Sequence, residues 1–345
     1  MIKRDAQPSY LQDAFFTVRE EPVYMTGTRG REKRIRGYKA IVNGVTGEVF
    51  SVVTDRYRLI HNQEAYEMAD HVVRAVFDGK SLSDFECFNI MMPKTKSSCR
   101  IDLIIPNNFE TLFGMSSESY TPFVRISNSY NKTLVLKYEI GFCRWICKNG
   151  CIFGQRGITF SMSHTDRIWG RDELVKEARR RIGSIAQLWS TFQRKMEGLR
   201  AIALPDSSIL PLFCKVFNIT VEEDKRSMPH GMEFGEDLYL DDKLRVMALK
   251  AKHIVDTSKS YFNALGNNAY AAMNILTDYA SFPVFTTSPN NYIHGYQRRV
   301  GRWVDEFLAE SGREDFSLAN YIGPDYQRTA ERLISIMGRR EFQCY

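Results

Sequence analysis

The sequence predicts an α+β fold: an antiparallel sheet with packed helices, followed by a mostly helical C-terminal region. Two observations carry this. Short β-prone runs separated by turn residues crowd the stretch from residue 38 to residue 150. Beyond residue 165 turn residues thin out, and apolar residues recur at three- and four-residue spacing. Consecutive strands joined by short turns pair antiparallel, because parallel strands need long crossovers.

Taken in order, residues 1–37 read as a basic leader or arm. Arg29, Arg31, Lys33, Arg34 and Arg36 crowd a stretch that also holds Gly30 and Gly37. Residues 38–42 and 48–53 are rich in valine, isoleucine and aromatics. They flank Asn43-Gly44 and Thr46-Gly47, which tolerate the positive φ of a tight hairpin turn. A helix is expected over 62–78, where Ala65, Met68, Val72 and Val76 form one apolar stripe. Asn62 would cap its start and Gly79 would end it. Strands follow at 85–92, 100–105, 123–127 and 134–140. Residues 142–147 continue the sheet, and Asn149-Gly150 marks a turn. Residues 165–199 place Ile168, Ala178, Ile182 and Phe192 on one helical face, opposite Lys176, Arg179, Arg180 and Arg194. Residues 222–237 read as an acidic loop, and helices are expected at 238–257, 267–281, 296–310 and 326–340. The implied organisation is a leader at 1–37, an α+β core domain at 38–221, the acidic loop, and a helical region at 238–345.

Composition narrows the function classes. The 345 residues carry a net charge of +6, which is milder than a protein that coats DNA would show. The start MIKRDAQPSY has no apolar core, and nowhere do roughly 18 apolar residues run together. An odd count of seven cysteines without a signal points to reduced thiols in a cytoplasm.

Site chemistry is sparse. Gly79-Lys80-Ser81 ends like a phosphate loop, but position 74, where the first glycine belongs, is Arg74. Cys143, Cys147 and Cys151 stand four apart, wider than the usual metal-binding pairs, and read as buried structural thiols. Glu222, Glu223, Asp224, His230, Glu233, Glu236 and Asp237 match no metal-ligand spacing and read as a solvated loop. No metal or cofactor is therefore expected. His164 has no visible acid–base partner and reads as a packed histidine. Basic residues are more suggestive. Beyond the 29–36 stretch they gather at Lys94, Lys96 and Arg100, at Lys176 to Arg181, and at Arg298, Arg299 and Arg302 beside Tyr296 and Trp303. Tyr57 lies between Arg56 and Arg58, and Tyr130 near Lys132. Cations interleaved with rings are what single-stranded nucleic acids use, since phosphates need charge and bases stack on rings. The competing reading is that each cluster is a solvated face.

Several stretches resemble the phage- and plasmid-borne proteins grouped as domain of unknown function 932. The hairpin at 38–53 followed by Asp55-Arg56-Tyr57-Arg58 and Asn62 is similar to that family's opening. Asn128-Ser129-Tyr130-Asn131 is similar to its Asn-Ser-His/Tyr-Asp turn, and Arg144 to Gly150 to its Arg-x-x-Cys-x-Asn-Gly segment. His164-Thr165 and the stretch from Asn268 to Tyr279 continue the series. The order of these motifs over residues 38–310 is the specific part. Asn131-Lys132 departs from the usual Asp-Gly. The resemblance implies a mobile-element protein of a bacterial host cytoplasm, and the order of elements is similar to that of phage single-strand annealing proteins.

The first reading is a protein that binds single-stranded DNA or RNA, in annealing, recombination or protection of entering DNA. Arg29, Arg31, Lys33, Arg34 and Arg36 would hold phosphates with Lys94, Lys96, Arg179 and Arg180, while Tyr57 and Tyr130 stack on bases. The second is a non-enzymatic protein that binds a host or phage protein, such as an anti-defence factor. A metal-dependent nuclease ranks third. A homo-oligomer fits the annealing analogy.

Overall fold

The computed structural model describes residues 11–27, 30–106, 110–114, 118–144, 149–151, 159–162, 164, 175–176, 178–180, 185–221, 242–286 and 292–338. Arg29, Cys147, Arg181 and the acidic stretch at 222–237 lie outside the described residues. The fold is α+β, and the chain divides into two compact units, Ile2–Gln193 and Arg194–Tyr345.

The first unit contains two antiparallel sheets. In the first, β1 (Val18–Thr26), β2 (Glu32–Asn43) and β3 (Val49–Thr54) pair in that order. Residues 18–26 and 32–36, which the sequence reads as part of a leader, are thus strands of the first sheet. The sequence hid β1 because its run VREEPVYMT is mostly charged or polar, holds a proline and buries only Val18. The β2–β3 turn is as expected. The Asn43 side-chain oxygen accepts the Val45 N–H at 2.9 Å and the Thr46 N–H at 3.2 Å, and Gly47 takes φ 76°.

Helix α1 (Asn62–Val76) follows, with its cap one residue earlier than expected. His61 is the N-cap, and Asn62 is buried with its side chain committed elsewhere. The second sheet comprises β4 (Glu86–Met91), β5 (Ser98–Ile104), β6 (Glu110–Thr111), β7 (Ser119–Ser129), β8 (Leu136–Arg144), β9 (Asn149–Cys151) and β10 (Thr159–Met162). Its order is β10-β8-β7-β5-β4, with β6 beside β7 and β9 beside β8. Asn149-Gly150 is strand and not turn: Asn149 pairs with Arg144 and Gly150 with Cys143 in an antiparallel ladder. Cys143 and Cys151 therefore stand on neighbouring strands, which removes the shared helical face.

One face of the second sheet is apolar. Ile101, Ile126 and Tyr138 form one cross-strand row, and Leu103, Val124 and Ile140 the next. Helix α1 packs on β7 and β8, and the Tyr138 hydroxyl donates to the Ala65 carbonyl at 2.9 Å. Trp189 and Phe192 of α2 (Ile185–Ala201) stack near Phe142.

The second unit is helical: α3 (Ile209–Phe217), α4 (Asp242–Leu265), α5 (Ala269–Ser281), α6 (Ile293–Ser311), α7 (Leu318–Ile322) and α8 (Pro324–Met337). Every residue of α5 is buried, and Asn268 caps it by accepting the Ala271 N–H at 2.9 Å. The unit boundary falls at Gln193/Arg194, and α3 packs against α4, α6 and α8. Pro211 disguised α3 in the sequence; in a first helical turn its missing N–H has no intrahelical acceptor to lose. Among the described residues, no helix is long and apolar enough to cross a membrane.

A Cβ placed on Gly44 would lie 2.6 Å from the Thr17 methyl and 3.0 Å from the Thr17 carbonyl oxygen. Gly44→Ala should therefore cost about 1–3 kcal/mol through overpacking. Chemical denaturation checks this, and an unchanged midpoint would refute the close approach.

Candidate functional site

The basic stretch forms a ribbon. β3 pairs with β2 only over Tyr38–Thr54 to Val42–Val49. Beyond that, β1 and β2 continue alone, with Tyr24 opposite Arg34, Met25 opposite Lys33 and Thr26 opposite Glu32. The ladder breaks at its base: Val23 alone spans what residues 35–38 span on β2, and Gly37 absorbs the mismatch at φ 83°. Both faces of the ribbon are open to solvent, with Tyr24 53%, Met25 52% and Tyr38 48% exposed.

Charge is arranged in two ways along it. At the base, Arg19 pairs with Glu21 at 2.8 Å and Lys39 with Glu20 at 2.9 Å. Arg31, Lys33 and Arg34 toward the tip and Arg36 in the break at the base are all exposed, and among the described residues none of them pairs with a carboxylate. Four unneutralised cations beside two open phenol rings can hold phosphates and offer flat faces to bases.

Tyr57 and Tyr130 do not serve as stacking platforms. Both are core residues, 9% and 1% exposed, packed with Val18, Ile41 and Val53. The Tyr130 ring stacks on Phe50 at 5.5 Å and meets Phe16 edge-on at 5.7 Å. Its hydroxyl accepts the Asn62 N–H at 3.0 Å, and its carbonyl accepts the Ser51 hydroxyl at 2.7 Å. Asn62 and Asn128 join at 3.0 Å; Asn62 also donates to the Ala14 carbonyl and Asn128 to the Ile60 carbonyl. The Tyr57 hydroxyl donates to the Ser129 carbonyl at 3.3 Å, while its ring stacks on His164 at 5.0 Å. Hydroxyl-bearing rings near basic residues look alike in sequence whether they face water or the core; the apolar partners of these two come from distant strands.

His164 is a packed residue, as expected. Because a carbonyl only accepts, Nδ1–H donates to the Arg58 carbonyl at 3.2 Å. This leaves Nε2 proton-free, buried and without a partner among the described residues. Burial pushes the imidazole pKa below its ordinary 6.5.

The other predicted cations are dispersed. Lys94 and Lys96 are exposed in the β4–β5 turn, with Lys96 5.3 Å from the Phe16 ring centroid. Phe16 precedes β1, so this turn sits by the end of β1 opposite the ribbon tip. Arg179 and Arg180 are exposed on a separate helical stretch.

Sequence reasoning missed a row of buried charge. Asp102, Arg125 and Glu139 are register partners on β5, β7 and β8. Arg125 holds Asp102 with two hydrogen bonds of 2.6 Å, and Lys137 meets Glu139 at 2.5 Å. Arg100 lies in the next row, its pKa held below the ordinary value by burial and then by the charge of Arg125. Arg144 pairs with Glu118, both fully buried. The signal lay in the alternation: Arg100/Asp102, Arg125/Ser127 and Lys137/Glu139 put polar groups on every second position of otherwise apolar strands. Among the described residues no cluster of three histidine, cysteine or carboxylate side chains could hold a metal.

The family model described as Domain of unknown function (DUF932) matches residues 49–282, more than half of the chain. The chain belongs to this family. The DUF932 range begins at the first residue of β3, so it takes in Tyr57, Asn62, the charged row, Asn128 and Tyr130, while the ribbon precedes it. No curated protein and no solved structure matches the chain.

Two outcomes follow for the DUF932 core. Tyr130→Phe should cost about 1–3 kcal/mol, because the buried Asn62 N–H loses its acceptor, and should leave ligand affinities alone. A melting temperature equal to wild type would refute the junction's role. For His164, the unfolded chain takes up a proton before the folded one as pH falls. Stability should decline as pH drops through about 6.5 and level off below the lowered folded pKa. Melting curves from about pH 7.5 to about pH 5 should show this decline in wild type and a shallower one in His164→Phe; parallel curves would refute it.

Proposed function

We propose that this protein binds single-stranded nucleic acid through the β1–β2 ribbon. The observation that carries the reading is the group of four exposed cations, Arg31, Lys33, Arg34 and Arg36, without carboxylate partners among the described residues, on a ribbon that also exposes Tyr24 and Tyr38. Charge draws any polyanion, and the rings favour unpaired bases, whose faces are free to stack. A strand continuing past the ribbon along the rest of β1 would reach Lys94 and Lys96. The mobile-element setting implied by the family resemblance makes strands exposed during annealing, recombination or DNA entry the natural substrates of this reading.

Filter binding over a salt series tests it. Neutralising about four phosphates should give a log–log slope near −3, at roughly −0.7 per phosphate. Replacing Arg31, Lys33 and Arg34 together by Ala should reduce that slope by about two and weaken all sequences alike. Tyr24→Ala and Tyr38→Ala should each cost about 1–3 kcal/mol with little change in slope, since stacking releases no counterions. Duplex of equal length should bind more weakly than single strands. No retention of single-stranded DNA or RNA at low salt and micromolar protein would discard this reading in favour of a protein partner.

A further inference from the structure

The arginine cluster on α6 stands apart from the ribbon. Arg299, Arg302, Trp303 and Glu306 recur at three- and four-residue spacing and share one helical face. With Lys215 of α3 and Tyr321 of α7 they line a cleft of about 320 Å³. Arg299 donates one N–H to the Phe217 carbonyl at 2.6 Å, and Lys215 donates to the Tyr321 carbonyl while lying 4.4 Å from the Tyr321 ring centroid. Both keep further donors. Arg302 is exposed and has no hydrogen-bond or ion-pair partner among the described residues. Trp303 is 3% exposed, and its indole N–H has no acceptor among the described residues. A buried donor in that state costs free energy unless a ligand supplies the acceptor. Glu306 is the one acid in the lining, so the cleft carries a net charge of +2.

We propose that this cleft binds a phosphate monoester of nucleotide size. A phosphate monoester is close to a dianion at neutral pH, which balances the lining charge, and its terminal oxygens accept from guanidinium forks and an ammonium. The volume falls at the small end of the range for small-molecule sites, about 300–1,000 Å³, and exceeds what a bare phosphate fills. Burial holds the Lys215 pKa below its ordinary value, and a bound anion would reverse that cost. The phosphate could belong to a free mononucleotide or to the 5′-terminal nucleotide of a strand. The inference stands apart from the ribbon reading.

Calorimetric titration of the full chain with AMP, and with adenosine as control, tests it. AMP should bind and adenosine should not. Arg302→Ala should weaken AMP about tenfold, the loss of one charge-assisted contact. Trp303→Phe should weaken AMP while leaving the melting temperature of the free protein unchanged or raised, because it deletes an unpartnered donor. The Arg31, Lys33, Arg34 triple-alanine variant should bind AMP as wild type does, which separates failure here from failure of the ribbon reading. Displacement of AMP from that variant by a 5′-phosphorylated oligonucleotide, and not by its 5′-hydroxyl counterpart, assigns the site to strand ends; no displacement assigns it to free nucleotide. Equal binding of AMP and adenosine, AMP affinity unchanged by Arg302→Ala, or no heat with millimolar AMP would overturn the proposal.

Discussion

The first unit depends on the hydrogen bond from the Asn62 N–H to the Tyr130 hydroxyl. Around it, Asn62 and Asn128 tie the start of α1 to the end of β7, while Ser51 ties β3 to the Tyr130 carbonyl. Two sheets and one helix thus meet at a single buried tyrosine, where the Asn128 side-chain oxygen is buried and without a partner among the described residues. Buried polar groups are expensive when unpaired, so this junction tolerates few alternative packings. It explains why the motif Asn128-Ser129-Tyr130, which in sequence suggests a surface hairpin, sits in the interior.

Charge is handled in opposite ways by two parts of the same unit. On the second sheet buried Arg125 neutralises Asp102 across the β5–β7 pair, and half-buried Lys137 neutralises buried Glu139 along β8. A pair of this kind adds little net stability over an apolar one, but it penalises any shift of register, which would leave a charge buried alone. On the ribbon Arg31, Lys33, Arg34 and Arg36 are solvated and without carboxylate partners among the described residues, which leaves their field open to solvent. The same residue types therefore specify structure in one place and present an attractive surface in the other.

The α+β class, the β2–β3 hairpin, α1 and the long C-terminal helices were legible in the sequence because each rests on a local signal: turn residues, an apolar stripe or a cap. β1 was not, since its pairing with β2 supplies what its own composition lacks. Nor was α3, whose proline sits where a helix can accept it. Of the candidate site, the basic residues at 31–36 were legible as a charge run, and their exposure follows from the ribbon. Tyr57 and Tyr130 were misplaced because burial is decided by contacts some 70 residues away, such as the Tyr57–Ser129 hydrogen bond at a separation of 72. Tyr24 and Tyr38 carried no local mark that distinguished them from the buried tyrosines.

The register break at Pro22 and Gly37 has an evolutionary consequence. Past it, the strands of the ribbon hydrogen-bond to each other and no longer to β3. Residues there can change identity, or the ribbon can lengthen or shorten, with little penalty to the packed sheets below. The matched family range starts at β3, on the far side of this break. Such an arrangement separates two selective pressures: the tyrosine junction answers to folding, and the ribbon answers to whatever it touches. Side chains on the ribbon can therefore change while the scaffold below keeps its packing.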